Sequence, residues 1–148
     1  MRGRAPLLLI IVLSLSFITV TYLTIAISEV VAAKESILLT LTNSSFAPLS
    51  TVHGSQVVVP VKYQVKDDSL VGEKINGIMK LYSSNGSLVH SSSFPDGFTA
   101  KKKGGMEEFK TTIRDPTIQS LTANVTFTDL KKTETISNVV TVKLQLKK

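Results

Sequence analysis

Apolar and polar residues alternate with a period of two along most of the chain after residue 34, and turn-forming residues separate the alternating runs. Successive side chains of a β-strand point to opposite faces, so this pattern predicts strands that bury one face and expose the other. No apolar stripe at helical spacing persists for three turns in this region. The candidate strands are 36–42, 56–65, 74–82, 87–92, 106–113, 121–130 and 133–146. The pattern therefore predicts an all-β domain.

Seven strands within residues 34–148 favour an immunoglobulin-like sandwich of two packed sheets. The sixth strand has the clearest alternation, because Leu121, Ala123, Val125 and Phe127 are separated by polar residues. We expect these four side chains to lie in the core.

Several positions predict turns or irregular strands. Asn85-Gly86 favours a type I′ hairpin turn, since both residues tolerate a positive φ. Pro60 has no N–H to donate, so its strand is predicted to lie at an edge at that point or to be bulged. Gly77 predicts a second irregularity, and a phase slip between Ile136 and Val142 predicts a bulge. Residues 94–106 are predicted to form a loop or a loosely paired edge.

Residues 1–33 form a membrane-directed segment, with positive charges at Arg2 and Arg4 before a long uncharged apolar run. The positive flank is expected to stay inside, so the rest of the chain faces outward. Residues 7–27 are long enough for a helix to span a bilayer, which favours a retained anchor. Val31-Ala32-Ala33 suits signal-peptidase cleavage, which favours removal. Both interpretations stay open, as does a pilin-like stalk processed near Arg4.

Composition narrows the functional classes. The formal charge of +6 is spread along the chain, and there is no Trp, so neither a basic groove nor a stacking platform for nucleic acid is indicated. The absence of Cys means that an exported domain must be stabilised by packing alone. His53 and His90 are the only imidazoles and lack zinc-site spacing. No motif such as GxSxG indicates a nucleophile. We therefore expect no metal, no cofactor and no enzymatic activity.

Two kinds of surface site are predicted. Asn43, Asn85 and Asn124 each begin an Asn-x-Ser/Thr acceptor pattern for N-glycosylation. Lys101, Lys102 and Lys103 lie in a glycine-flanked stretch, where they either protect an exposed edge or contact a polyanion such as an acidic glycan or a lipid headgroup.

The first strand raises a separate hypothesis. Residues 34–42 place Ile37, Leu39 and Leu41 on one face, and residues 43–55 form a polar, Pro-containing connector that we interpret as a tether. The strand either completes its own sandwich or is donated to a neighbouring copy. Donation would form main-chain hydrogen bonds between copies, and because that contact does not close on itself it would build a filament.

The whole arrangement resembles short archaeal surface proteins, and it looks most like subunits of glycosylated thread or bundling-pilus filaments. The resemblance is carried by the leader ending "EVVAA", by a Cys-free, Ser/Thr-rich sandwich with "NSS", "NGS" and "NVT", and by the strand "LTANVTFTD". It implies a leader, a donor strand and one β-sandwich head. A second resemblance is to the anchored stator components of the archaellum, whose helix starts without a segment like "MRGRAPLLL".

The sequence therefore predicts a non-enzymatic structural protein at the cell surface that self-associates or binds another envelope protein. It meets the membrane through its N-terminal segment at least during export. The alternative is a membrane-anchored immunoglobulin-like module that docks onto an envelope or surface-layer partner. A carbohydrate-binding module is a third class, which the absence of Trp and of a clustered aromatic face makes less favoured.

Overall fold

A computed structural model describes residues 35–49 and 53–147. They form nine strands and one short 3₁₀ helix. The strands are β1 (Ile37–Leu41), β2 (Ser45–Pro48), β3 (Ser55–Val65), β4 (Lys74–Ser83), β5 (Leu88–Ser93), β6 (Phe98–Thr99), β7 (Gly105–Ile113), β8 (Ser120–Asp129) and β9 (Val140–Gln145); the 3₁₀ helix, Asp68–Leu70, precedes β4. The all-β prediction is confirmed.

The strands form two antiparallel sheets. In the first sheet β3 is central, with β7 on one side and β1 followed by β2 on the other. The second sheet has the order β5-β4-β8-β9, and β6 pairs with the start of β4. The predicted immunoglobulin-like sandwich is therefore present, with two short strands, β2 and β6, in addition to the seven expected. β2 lies inside the predicted tether 43–55, and β6 lies inside the predicted loop 94–106.

Both sheets contribute alternate side chains to one core. The four β8 residues predicted to face inward, Leu121, Ala123, Val125 and Phe127, are each at most 2% exposed. Burying one large apolar side chain contributes about 1.5 to 3 kcal/mol, so these regularly spaced positions help to hold the two sheets together.

Gly77 packs beneath aromatic rings and is not the irregularity that was predicted. A Cβ atom there would lie 2.7 Å from Cζ of Phe109 and 2.8 Å from Cε2 of Phe94. The rings of Phe94 and Phe109 themselves stack with centroids 4.6 Å apart. The pairing of β4 with β8 is continuous through Gly77, and the register shift of β4 occurs against β5, between Leu81 and Tyr82. The glycine is required for space, not for a bulge.

Pro60 lies in the central strand β3, but neither β1 nor β2 pairs with it, so the strand has a local edge there as predicted. The Pro60 carbonyl accepts a hydrogen bond from the N–H of Thr42 at 3.2 Å, at the junction where β1 has ended and β2 has not begun. The nitrogen and the carbonyl of one strand residue point to the same side. The missing N–H of Pro60 therefore faces this junction, where no strand needs it.

The hairpin between β4 and β5 is confirmed, but its turn type differs from the prediction. Gly86 has a φ of 83°, whereas Asn85 is not among the non-glycine residues with positive φ. The N–H of Gly86 donates to the Ser83 carbonyl, and the Asn85 side chain accepts from the N–H of Ser87 at 3.0 Å. This is a three-residue loop with glycine at the left-handed position, not a two-residue type I′ turn.

The last strand is shorter than predicted, because 133–146 becomes β9 at Val140–Gln145. The phase slip between Ile136 and Val142 corresponds to an irregular segment that buries both Ile136 and Ser137 and leaves Val139 exposed. Residues 1–33, with the predicted anchor or signal peptide, lie outside the described residues. Within 35–49 and 53–147, no helix has the length and hydrophobicity needed to cross a membrane.

Candidate functional site: the first strand and its slot

Strand β1 lies along the C-terminal half of β3. Its register runs from Ile37 opposite Val65 to Leu41 opposite Val61. Ile37 and Leu39 are 0% and 3% exposed, and Leu41 is half-buried against the same core. The face proposed for donation thus points into the sandwich of its own chain.

The other edge of β1 is covered by residues 136–138, which precede β9. The carbonyl of Ile136 accepts hydrogen bonds from the N–H groups of Ser36 and Ile37, both at 3.0 Å. Ile37 and Ser137 form a parallel bridge. β1 therefore lies in a slot with two walls, which are residues 61–65 of β3 and residues 136–138.

A side chain in the second wall binds the centre of β1. The N–H of Leu39 donates to Oδ1 of Asn138 at 2.7 Å, and Nδ2 of Asn138 donates to the Leu39 carbonyl at 3.2 Å. The amide thus replaces the peptide group that a neighbouring strand would supply. Asn138 was not among the predicted site residues. The only signal in the sequence was the phase slip around it.

The second wall is also bound to the opposite sheet. Ile136 donates its N–H to the Phe127 carbonyl at 3.0 Å, and the Phe127 N–H donates to Oγ of Ser137 at 2.8 Å. Ser137 is 5% exposed, and its hydroxyl donates to the Asn138 carbonyl at 2.7 Å. These bonds hold the wall against β8 without involving β1.

The connection from β1 to β2 is short. Only residues 42–44 separate the two strands. Thr42 is attached to the Pro60 carbonyl through both its N–H, at 3.2 Å, and its hydroxyl, at 3.0 Å. β2 is fixed beyond it, because Phe46 is 1% exposed and its carbonyl accepts from the N–H of Lys147 at 3.0 Å. We call residues 42–44 the hinge; three residues span at most roughly 10 Å.

The three predicted glycosylation sites lie in different places. Asn43 is exposed in the hinge, Asn85 is exposed in the β4–β5 turn, and Asn124 is half-buried at the middle of β8. In β8, Asn124 pairs with Lys80 of β4 and Thr141 of β9. The structure thus separates these sites from one another.

The three predicted lysines are exposed in the turn before β7. The turn is closed by the N–H of Gly104, which donates to the Lys101 carbonyl at 2.7 Å. It is joined to the core by the Lys101 N–H, which donates to the hydroxyl of Tyr63 at 3.4 Å. Burial raises the pKa of Tyr63, and burial also raises the pKa of Glu107, an effect that the nearby charge of Lys101 opposes. Contact of Lys101, Lys102 and Lys103 with a polyanion stays a prediction.

No known protein family matches this chain, and no curated protein matches it. Among solved structures it is similar to a part of the Parabacteroides merdae β-glucuronidase, with a TM-score of 0.54 and 12% identity over 75% of this chain and 13% of that enzyme. It is also similar to a candidate β-galactosidase from Bacteroides fragilis, with a TM-score of 0.51 and 14% identity over 76% of this chain and 16% of that protein.

At such low identity the likeness shows a shared fold and nothing more. The similarity covers less than a fifth of each of those proteins. The glycosidase names describe those proteins, and no catalytic residue is transferred to this chain by the comparison.

Proposed function

We propose that this protein is a non-enzymatic structural subunit of a cell-surface filament, in which β1 of one copy fills the slot of the next. The supporting observation is the connectivity of β1. It is held by two walls that are distant in sequence, and on its C-terminal side only the short hinge joins it to β2. With the N-terminal segment removed, β1 would be the first segment of the chain and could be exchanged between identical copies with its contacts preserved.

Recognition in the slot rests largely on the main chain. The walls satisfy the N–H groups of Ser36, Ile37 and Leu39, and the core accepts alternate apolar side chains. This is the arrangement of β-strand addition, in which backbone bonds give affinity and side-chain pockets give selectivity. When each copy donates its strand to the next copy and accepts one from the previous copy, the contact is heterologous and extends into a filament.

A second candidate function is a membrane-anchored module that binds an envelope partner. The observation in its favour is that β1 completes the sandwich of its own chain, so the domain needs no second copy. The two candidates differ in which chain supplies the strand in each slot.

A disulfide test distinguishes them, because the natural chain has no Cys. Thr40 and Lys62 are exposed cross-strand partners of β1 and β3. Paired strand residues lie at Cα separations that a disulfide can bridge. We would introduce Thr40→Cys with Lys62→Cys, oxidise the protein in the assembled state from its native envelope, and separate the denatured chains without reductant.

Strand exchange predicts a ladder of covalently joined chains. The matched control is Gln56→Cys with Thr112→Cys, a pair between β3 and β7 that should join only within one chain. If Thr40 and Lys62 also join only within one chain, the filament proposal is overturned and the anchored module is favoured. An N-terminal peptide that still carries residues 7–27 would support the same conclusion.

A further inference from the structure

The outer face of the second sheet carries a shallow groove beside Asn124. It is lined by Ile78, Lys80 and Tyr82 of β4, by Asn124 to Thr126 of β8, and by Val139. Val139 is 59% exposed. The groove combines apolar side chains with the polar groups of Lys80, Asn124 and Thr126.

The amide of Asn124 has a defined orientation in this groove. The hydroxyl of Thr141 donates to Oδ1 of Asn124 at 3.0 Å. Since Oδ1 and Nδ2 diverge from one carbon atom, Nδ2 faces away from that hydroxyl. Thr126, the third residue of the acceptor pattern, lies on the same face of β8 two residues later. Both side chains that define the pattern therefore border the groove.

We propose that Asn124 carries an N-linked glycan whose first sugars lie in this groove. The flat apolar faces of sugar rings would cover Tyr82 and Val139, and their hydroxyls would meet the polar groups of Lys80 and Thr126. The groove thus has a covalently attached occupant that belongs to the same chain. This proposal depends on export of the domain but not on exchange of β1.

The transfer itself needs a lipid-linked oligosaccharide as donor and the transferase of the host. A bond forms between Nδ2 of Asn124 and C1 of the first sugar, while the bond between C1 and the lipid phosphate oxygen breaks. Nδ2 loses one proton, and the lipid phosphate leaves. The protein contributes only the acceptor pattern and the surface beside it.

Asn85 provides the contrast. It stands in an exposed turn, and at the adjacent Gly86 an added Cβ would meet no atom within 4 Å. A glycan on Asn85 would project into solvent. Removing a glycan from Asn124 should therefore expose the groove, whereas removing one from Asn85 should not.

Two substitutions at Thr126 test whether Asn124 is glycosylated. Thr126→Val keeps the size of the side chain but destroys the acceptor pattern, whereas Thr126→Ser keeps the pattern. Both proteins would be produced in full length in the native host. Mass analysis of the peptide that contains Asn124 should show sugar on Thr126→Ser and none on Thr126→Val. An unmodified Asn124 in the native protein overturns the proposal.

The position of the glycan is tested through Tyr82. Beyond the N-terminal segment the chain has only two tyrosines, and Tyr63 is 4% exposed. Nitration of the folded protein should therefore report mainly on Tyr82. We expect several-fold faster nitration of Tyr82 in Thr126→Val than in Thr126→Ser, and no change in Asn85→Gln.

Equal nitration in a glycosylated and an unglycosylated protein would show that the glycan leaves the groove open, which overturns its placement there. Wild-type protein made in a host without N-glycosylation gives the same comparison without any substitution. If that protein self-associates while its Tyr82 is protected, a second copy and not a glycan covers the groove.

Discussion

The side-chain amide of Asn138 binds both main-chain groups of Leu39, accepting from its N–H at 2.7 Å and donating to its carbonyl at 3.2 Å. These residues are 99 positions apart in sequence, yet their contact is the only side-chain hydrogen bond to the centre of β1 found among the described residues. It makes Asn138 the residue that most directly controls how firmly the first strand is held.

Asn138→Ala should lower the free energy of unfolding by about 1 to 3 kcal/mol, because it leaves the buried N–H and carbonyl of Leu39 without partners. Asn138→Asp should also be destabilising, because it keeps the acceptor for the N–H but sets a carboxylate oxygen against the Leu39 carbonyl. Urea unfolding followed by circular dichroism measures both. Asn85→Ala, in an exposed turn, serves as the control. Equal stability of Asn138→Ala and wild type would contradict this role.

The same substitution makes a kinetic prediction for assembly. A strand in its own slot and a strand in a neighbour's slot make the same contact with Asn138, so Asn138→Ala should speed exchange without changing the final proportion of exchanged chains. This rate can be measured with the protein that carries Thr40→Cys and Lys62→Cys. Samples are oxidised at successive times after the chains are mixed, and the fraction of chains joined to another chain is followed. A shift of the final proportion would mean that the two slots are not equivalent.

Gly104 closes the lysine turn, and Gly86 in the β4–β5 turn serves as its control. Both have positive φ, of 75° and 83°, but a Cβ on Gly104 would collide with the carbonyl of Tyr63, whereas Gly86 is open. Gly86→Ala should cost about 1 to 2 kcal/mol from backbone strain alone. Gly104→Ala should cost at least about 1 kcal/mol more, because the turn must also move away from β3. Thermal or urea unfolding measures the difference, and equal costs would contradict the close packing.

Gly77→Ala should destabilise the core by overpacking, by about 1 to 3 kcal/mol. The new methyl group would collide with Phe94 and Phe109. Adding Phe94→Leu should return part of the loss, so the double variant is expected to be more stable than the sum of the single effects. Simple additivity in urea unfolding would show that the rings move aside freely.

Asp129 should contribute to the acid sensitivity of the fold. Its carboxylate accepts hydrogen bonds from the N–H of Glu134 and from the hydroxyl and N–H of Thr133, and these bonds lower its pKa. A pKa that is lowered in the folded state stabilises the fold above the unfolded-state value of about 4. That contribution is lost as the pH falls through the lower folded-state pKa.

As the pH is lowered from about 7 to about 2, we therefore expect the free energy of unfolding to fall less for Asp129→Asn than for wild type. Thr133→Val, which removes one hydrogen bond and keeps the carboxylate, should fall between them. Urea unfolding at a series of pH values measures the effect. Identical pH dependence in all three proteins would contradict it.

The local features of the fold could be predicted, because period-two alternation is encoded residue by residue. β8 is the best example, since each of its predicted core positions is buried. β2 was not predicted, because Phe46 is its only large apolar residue and Pro48 ends it. The role of Pro60 depends on where β1 and β2 end against β3, which no local pattern contains.

The residues that form the second wall of the slot could not be predicted from the sequence either. The buried face of Ile37 and Leu39 was predicted, but its partner Asn138 is a polar residue in an irregular segment far away in the chain. Gly77 was recognised as unusual for the wrong reason, because its requirement for space comes from rings on other strands. Such contacts are set by tertiary packing and have no local signature.

The positions of Ile37 and Lys147 have a mechanical consequence. Ile37 lies level with Val65 of β3, while Lys147 is bonded to Phe46, which lies level with Val57. The two attachment points are eight residues apart along β3, or roughly 26 Å. A force that pulls the two ends of the domain apart would act along β1, and its bonds to both walls would have to break together in shear and not one after another. If β1 is the strand exchanged between copies, as we propose, the strand that joins the copies would also be the one that resists tension.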